Sequence, residues 1–277
     1  MEHTYVQDYV DEYEMLLNKV DLKDKSINEN DMQAFLEKHT AFIPTPFFQN
    51  HQLHFNCFIS KFPIGPWISD IAYLTHSTIG WYVVLMELEN PHKKIFKGSI
   101  DHAEFTSDFT QAKQQISDWK IYIDEYKADV LESLKRLRKP LAGNKVSFKY
   151  VIVMGRRKEL ANSESRRRTL AELEKENLKV LTYDTILSDY KRFRRIPSES
   201  IVITLYNKDK FKVKYLPNNL SRASKISTSM FSYMSCEDIL LTDEQINKLQ
   251  EDGYEMGSWQ QGDLLVLNKK NTMQERV

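Results

Sequence analysis

The spacing of apolar positions near the N-terminus predicts helices. Tyr5, Tyr9 and Tyr13 recur about every four residues, with Leu16 and Leu17 on the same stripe, as on the buried face of an amphipathic helix. We therefore expect helix over residues 1–38, with a break near residues 24–26. A second helix follows from residue 29 to residue 38 and ends before two prolines.

The pattern then changes to the alternation of strands. Residues 51–59 place apolar side chains at every second position, as in a half-buried strand. Residues 67–74 and 81–89 are also strand-like, and the second is apolar on both faces until it reaches two carboxylates. The polar segment 75–80 between them has the length of a hairpin connection. We expect these two strands to be adjacent and antiparallel.

The second half of the core alternates helices with short strands. Residues 106–138 read as a long helix with a break near the middle, and residues 148–154 as a buried strand. An arginine-rich helix over 163–177, a short strand over 178–182 and a helix over 184–193 follow. This order predicts an α/β fold with a mixed central sheet flanked by helices.

A boundary is predicted at residues 196–200, where a proline interrupts a polar stretch. The chain then divides into an N-terminal helix over 1–26, a core domain over 27–195 and a small α+β module over 200–277. In the module we expect a hairpin over 201–216 and a helix over 243–252.

Composition indicates a globular protein with an uneven charge distribution. The 277 residues carry no net charge, and no apolar run approaches the roughly 20 residues that span a bilayer. Two cysteines without a metal-ligand spacing, and no visible signal peptide, favour a reducing cytoplasm and no membrane. Residues 1–130 hold 11 lysines and 20 acidic residues, a net charge of −9, whereas residues 131–200 carry +9. This asymmetry fits either a metal site beside a phosphate-binding surface or a solvated basic helix face.

The candidate chemistry lies in Asp70 and in Glu87 and Glu89, at the ends of the two paired strands. Side chains alternate along a strand, so Glu87 and Glu89 share a face, and pairing brings Asp70 beside Glu87. Carboxylates held this close need protons or a cation to neutralise them, and their oxygens suit Mg²⁺ or Mn²⁺. The alternative is an edge strand with solvated acids. Taken alone, this spacing is common by chance.

Several motifs in the right order resemble the Shedu family of anti-phage defence proteins, whose nuclease domain is of the PD-(D/E)XK type. The resemblance covers residues 27–195 and rests on the segments ENDMQAFLEKH (29–39), WISD (67–70), VVLMELENP (83–91), AKQQISDWKIY (112–122), VIVMGR (151–156) and LTYD (181–184).

The resemblance implies a PD-(D/E)XK-like restriction-endonuclease core that uses Mg²⁺ or Mn²⁺ to cut nucleic acid. Asp70, Glu87 and Glu89 are then the expected metal ligands and, with Gln115, the catalytic residues. The supporting residues are expected to be Glu29, Gln33 and Gln111; for the glutamines the alternative is an ordinary polar helix face.

One position departs from the family pattern, because Glu89 stands where the family has lysine. Glu89 would then be an extra ligand or a general base, or Lys93 or Lys94 would reach back to replace the lysine. The competing hypothesis is an inactive domain that binds nucleic acid or a phage protein and acts through assembly.

Basic residues after the buried strand 148–154 are the candidates for binding nucleic acid, since arginine pairs well with phosphate. They are Arg156, Arg157, Lys158, Arg166, Arg167 and Arg168, and Arg156 is the favoured one. The expected partner is DNA, or else RNA. The family resemblance and the unassigned N-terminal helix predict a homo-oligomer.

Overall fold

The protein is described by a computed structural model. It covers residues 5–19, 25–49, 53–98, 103–139, 141–175, 177–192, 199–217, 238–251, 254–256 and 267–269. The helices are α1 (Gln7–Asn18), α2 (Lys25–Lys38), α3 (Ser107–Glu125), α4 (Lys127–Ser133), α5 (Glu164–Glu174), α6 (Tyr183–Arg192) and α7 (Asp243–Glu251). The strands are β1 (Cys57–Ile64), β2 (Trp67–His76), β3 (Trp81–Leu88), β4 (Val146–Val153), β5 (Leu178–Leu181), β6 (Ile201–Asn207), β7 (Lys210–Tyr215), β8 (Ile239–Leu240), β9 (Tyr254–Met256) and β10 (Leu267–Lys269).

A mixed sheet with the strand order β5-β4-β3-β2-β1-β6-β7-β8 forms the centre of the fold. Strands β1, β2 and β3 are antiparallel to their neighbours in this group, whereas β4 and β5 continue parallel to β3. The predicted mixed α/β architecture is confirmed. The predicted pairing of β2 with β3 is confirmed as well, with Ile71 opposite Met86 and His76 opposite Trp81.

The two faces of the sheet carry separate apolar cores, because successive side chains of a strand point to opposite sides. On β3, Val83 and Leu85 join the core that includes Trp119 of α3. Val84 and Met86 join the core beneath α1, α2 and α6. Glu87 follows the alternation of Val83 and Leu85, so it points toward the α3 layer.

Helix α1 packs inside the molecule. Val10, Tyr13 and Leu17 are buried, and the Tyr13 hydroxyl donates a hydrogen bond to the Tyr183 carbonyl at 2.9 Å. This packing corrects one reason for expecting an oligomer, namely that the apolar stripe of this helix has no partner within the chain.

The first strands after residue 200 join the central sheet, which differs from the expectation of a separate α+β module over 200–277. Strand β6 pairs in parallel with β1, from Cys57 opposite Ile201 to Ser60 opposite Thr204, and β7 and β8 extend the same sheet. Strands β9 and β10 pair with each other. The expected boundary at 196–200 falls largely outside the described residues.

Two local predictions shift in detail. The strand expected over 51–59 begins at Cys57, since His54–Asn56 form a short 3₁₀ turn in which Phe55 has a φ of 55°. The long helix breaks at Tyr126, and Thr106 caps its start by accepting a hydrogen bond from the Phe109 N–H. Within the described residues, no helix is long and apolar enough to cross a membrane.

Candidate functional site

The three predicted carboxylates lie at the ends of β2 and β3 and are nearly buried. Asp70 is 7% exposed, and Glu87 and Glu89 are each 8% exposed. Backbone pairing between β2 and β3 runs as far as Ile71 and Met86, one step before Asp70 and Glu87. The carboxylates therefore occupy the point at which the two strands part.

At this point, side chains of β2 instead of its backbone form the hydrogen bonds to the backbone of β3. The Ser69 hydroxyl accepts a hydrogen bond from the Met86 N–H at 3.1 Å and lies 3.0 Å from the Met86 carbonyl. The Asp70 Oδ2 atom accepts a hydrogen bond from the Leu88 N–H at 2.7 Å. These contacts hold the end of β3 open and fix the Asp70 carboxylate. Ser69 was not among the predicted site residues, and a serine in a strand carries no signal of such a contact.

Glu87 is the least satisfied of the acids. Its Oε1 accepts a hydrogen bond from Gln115 Nε2 at 2.8 Å, as the family resemblance predicts for a shared site. Its Oε2 is buried and has no hydrogen-bond partner. Burial, followed by repulsion from Asp70, Glu89 and Glu29, raises the pKa of Glu87 to about 9. The site thus favours a proton or a cation at Oε2.

Glu29 belongs to the same electrostatic group. It lies on α2, and burial together with the charges of Glu89 and Asp70 raises its pKa to about 7. Its role as a supporting residue stays a prediction.

Two lysines neutralise part of this charge. Lys61 Nζ lies 2.5 Å from Asp70 Oδ1, and Lys93 forms an ion pair with Glu89. Lys93 thus lies beside Glu89, which occupies the position where the family has lysine, and its replacement of that lysine stays a prediction. Lys94 is exposed, and its carbonyl accepts a hydrogen bond from Thr106.

The donor set fits a hard divalent cation, although the ligands are not gathered around one point. Among the described residues, no group of three or more His, Cys, Asp and Glu side chains is arranged to hold a metal ion. Asp70 and Glu89 bind ammonium groups instead. The buried, unpartnered Glu87 Oε2 is the observation that favours a cation, since carboxylate oxygens are the ligands that Mg²⁺ and Mn²⁺ prefer.

In the described part of the chain, neither of the two supporting glutamines forms a hydrogen bond with the three carboxylates. Gln33 Nε2 donates to Glu37 Oε1 at 3.0 Å, and Glu37 also binds Ser60 and Lys214. Gln33 is thus part of a second buried polar cluster, between α2, β1 and β7. Gln111 lies one turn before Gln115 on α3, and its side chain is exposed.

Arg156, the favoured phosphate-binding residue, is engaged within the fold. It pairs with both oxygens of Asp184, at 3.0 and 3.1 Å, and donates to the Leu17 carbonyl. It ties the loop after β4 to α6 and to the end of α1. The sequence could not show this role, because the contacts join segments far apart in the chain.

Arg166 is engaged as well. It is buried and donates to the carbonyls of Glu159 and Lys97, each at 3.1 Å. Its guanidinium also lies over the Phe96 ring, 5.0 Å from the centroid. The exposed members of the predicted basic set are Arg157, Lys158, Arg167 and Arg168.

Lys61 is the site residue that sequence reasoning missed. It lies on β1, which carries none of the recognised motifs, and its backbone φ is positive. The order of residues along the chain contains no signal for the contact with Asp70. Only the pairing of β1 with β2 brings the two together.

No curated protein matches the chain. A family model described as Shedu protein SduA, C-terminal, matches residues 26–187. The matched segment includes α2 from its second residue, strands β1 to β5 and the first half of α6, and with them every carboxylate of the site. Because the match spans more than half of the chain, this protein belongs to the Shedu family.

Proposed function

We propose that the protein is a divalent-metal-dependent nuclease of the PD-(D/E)XK type that cuts or nicks phage or other foreign DNA. Membership of the Shedu family suggests a role in anti-phage defence. The observation that carries the nuclease proposal is Glu87: one oxygen bonds Gln115, and the other is buried without a partner at the end of a central strand.

Asp70, Glu87 and Glu89 would hold Mg²⁺ or Mn²⁺ in this proposal. Such an ion, when bound, polarises a phosphate and lowers the pKa of a bound water. The protein's own contribution is positioning, because Ser69 and the Leu88 N–H fix the Asp70 region while Gln115 orients Glu87.

A positive charge beside position 89 would be supplied by Lys93. Its ammonium group pairs with Glu89, so an ammonium lies next to the glutamate that replaces the family's lysine. In this proposal Glu89 serves as a ligand or a base, and its replacement by lysine would not restore a lost function but would remove a working group.

Nucleic-acid contact is assigned to the exposed basic residues Arg157, Lys158, Arg167 and Arg168. Arg157 is partly held by Asp184 and Ser188, and Arg168 by Glu164 at an exposed ion pair of 2.5 Å. Exposed pairs of this kind are weak, so a phosphate backbone competes for these cations at low cost.

Plasmid cleavage in Mg²⁺ or Mn²⁺ tests the proposal. We expect the parent to cut and Glu87→Ala to lose cleavage while keeping its fold, because the change removes a buried carboxylate whose Oε2 has no hydrogen-bond partner. A matched control is Glu104→Ala, whose carboxylate is exposed and pairs with Lys97. A Glu87→Ala protein that cuts as well as the parent would contradict the assigned site.

The same assay addresses the binding-module hypothesis through Glu89→Lys. We expect this variant to cut less than the parent. If the parent is inactive with DNA and RNA in either metal, and Glu89→Lys cuts, the natural protein is instead a binding module that acts without cleavage.

A further inference from the structure

Lys61 interrupts strand β1 in an unusual backbone conformation. Its φ is 51°, a left-handed value that residues other than glycine rarely adopt. Ile59 and Phe62 belong to the same apolar core although they are three positions apart, so the alternation of side chains along the strand shifts by one residue at Lys61. A conformation of this kind persists when the surroundings impose it, and such positions cluster at functional sites.

The pairing of β1 with β2 places Lys61 across from Asp70. Ser60 lies opposite Ile71 and Phe62 lies opposite Ser69, and Lys61 and Asp70 fall between these pairs. On the other side of β2, Met86 lies opposite Ile71. Lys61, Asp70 and Glu87 thus occupy one row across three neighbouring strands.

The side chain of Lys61 lies between the buried acids and the solvent. Its Nζ lies 2.5 Å from Asp70 Oδ1, and its side chain is 47% exposed whereas that of Asp70 is 10% exposed. Its charge also reaches Glu29, whose raised pKa it partly offsets. A lysine in this position can contact a bound substrate without leaving the site.

Lys93 differs from Lys61 in its partner. Lys93 is four residues from Glu89 and pairs with it, so both charges arise from the same segment and compensate each other there. Lys61 comes from a different strand and binds the acid that lies next to Glu87 in the row.

We propose that Lys61 is the lysine of this site that contacts the substrate, in place of the lysine that the family has at position 89. It holds Asp70 while the site contains no metal, and it donates to a phosphate oxygen of bound nucleic acid once Asp70 is neutralised by a divalent cation. This role rests on the proposed nuclease function and adds a substrate-contacting residue to it.

Lys61→Gly is the informative variant, because glycine adopts a positive φ without strain and the fold is expected to be retained. Lys208→Gly is its matched control. Lys208 is also a lysine with a positive φ, of 40°, and it lies in the turn between β6 and β7, outside the site. Unfolding curves of both variants check that the fold survives.

The first measurement is Mn²⁺ binding to the protein without nucleic acid. We expect Lys61→Gly to bind Mn²⁺ about threefold or more tightly than the parent, because a competing cation has been removed from Asp70. Lys208→Gly should bind as the parent does. Equal affinity of all three proteins for Mn²⁺ would overturn the inference that Lys61 competes with the metal ion for Asp70.

The second measurement is cleavage with Mn²⁺ at saturation. Lys61→Gly should cut at least about 100-fold more slowly than the parent, as expected when a charge beside the reacting phosphate is lost. Lys208→Gly should cut as fast as the parent. A Lys61→Gly variant that cuts as fast as Lys208→Gly would overturn the substrate contact assigned to Lys61.

The two proposals fail in different ways. A parent that binds Mn²⁺ and cuts, together with a Lys61→Gly variant that cuts equally well, refutes the role of Lys61 and leaves the nuclease intact. A parent that neither binds Mn²⁺ nor cuts overturns the nuclease, and the role of Lys61 with it.

Discussion

At the scale of single residues, Glu87 is a buried carboxylate that lies among other acids. Its pKa is raised to about 9 by burial and by its acidic neighbours, whereas an unfolded glutamate ionises near 4.5. Between these values the folded protein retains a proton that the unfolded chain has lost. Rising pH therefore favours the unfolded state.

The resulting prediction concerns the metal-free protein. Its free energy of unfolding should fall by at least about 1 kcal/mol as the pH rises from about 5 to about 9, and Glu87→Gln should remove much of this slope. Urea unfolding in the presence of EDTA measures both proteins. A parent whose stability increases over this range, with the same slope in Glu87→Gln, would show that Glu87 ionises normally.

Arginine residues at this scale show why residue type alone does not assign a role. Arg156 and Arg168 have the same chemistry, yet Arg156 forms a two-bond pair with Asp184, while Arg168 is exposed. The difference comes from their neighbours in space, so the residues that meet phosphate have to be chosen by exposure.

At the scale of elements, α1 is part of the core. Its buried face contacts the layer formed by α2 and α6, although the family match begins only at residue 26. The helix thus lies outside the matched segment and covers one side of the sheet.

A substitution on each face of α1 tests this packing. Leu17 is 1% exposed and Met15 is 67% exposed. Leu17→Ala should destabilise the protein by about 2–5 kcal/mol, whereas Met15→Ala should have an effect below about 0.5 kcal/mol. Thermal and urea unfolding measure both. A larger loss at Met15 than at Leu17 would mean that the helix buries the opposite face, as in a contact between subunits.

A substitution in strand β6 tests whether the C-terminal region unfolds together with the core. Ile203 is fully buried and lies opposite Ile59 of β1. Ile203→Ala should destabilise the whole chain by about 2–5 kcal/mol and leave a single unfolding transition, because β6 shares its sheet with the site strands. Tryptophan fluorescence and far-ultraviolet circular dichroism should report the same midpoint. Two separated transitions, with only one shifted, would support an independent module.

At the scale of the whole molecule, a homo-oligomer remains a prediction drawn from the family resemblance. The α1 stripe no longer supports it, because that stripe is buried within the chain. We expect a mass in solution that is a multiple of 32.7 kDa, measured by light scattering at several concentrations. A mass of one chain throughout would contradict the prediction.

The sequence by itself determined the order of elements, the pairing of β2 with β3 and the location of the three carboxylates. These features depend on local periodicity and on a short connection, which are visible in neighbouring residues. Motifs in sequence order also identified the family. Gln115 was assigned to the site through the same motifs, and it donates a hydrogen bond to Glu87.

Only the tertiary structure decided which distant segments meet. The pairing of β1 with β2 brings Lys61 to Asp70, and the contact of β6 with β1 joins the C-terminal region to the core. The partner of Arg156 is likewise 28 residues away. Such contacts depend on strand order and packing across the sheet, and the periodicity of one segment holds no information about the segment that will lie beside it.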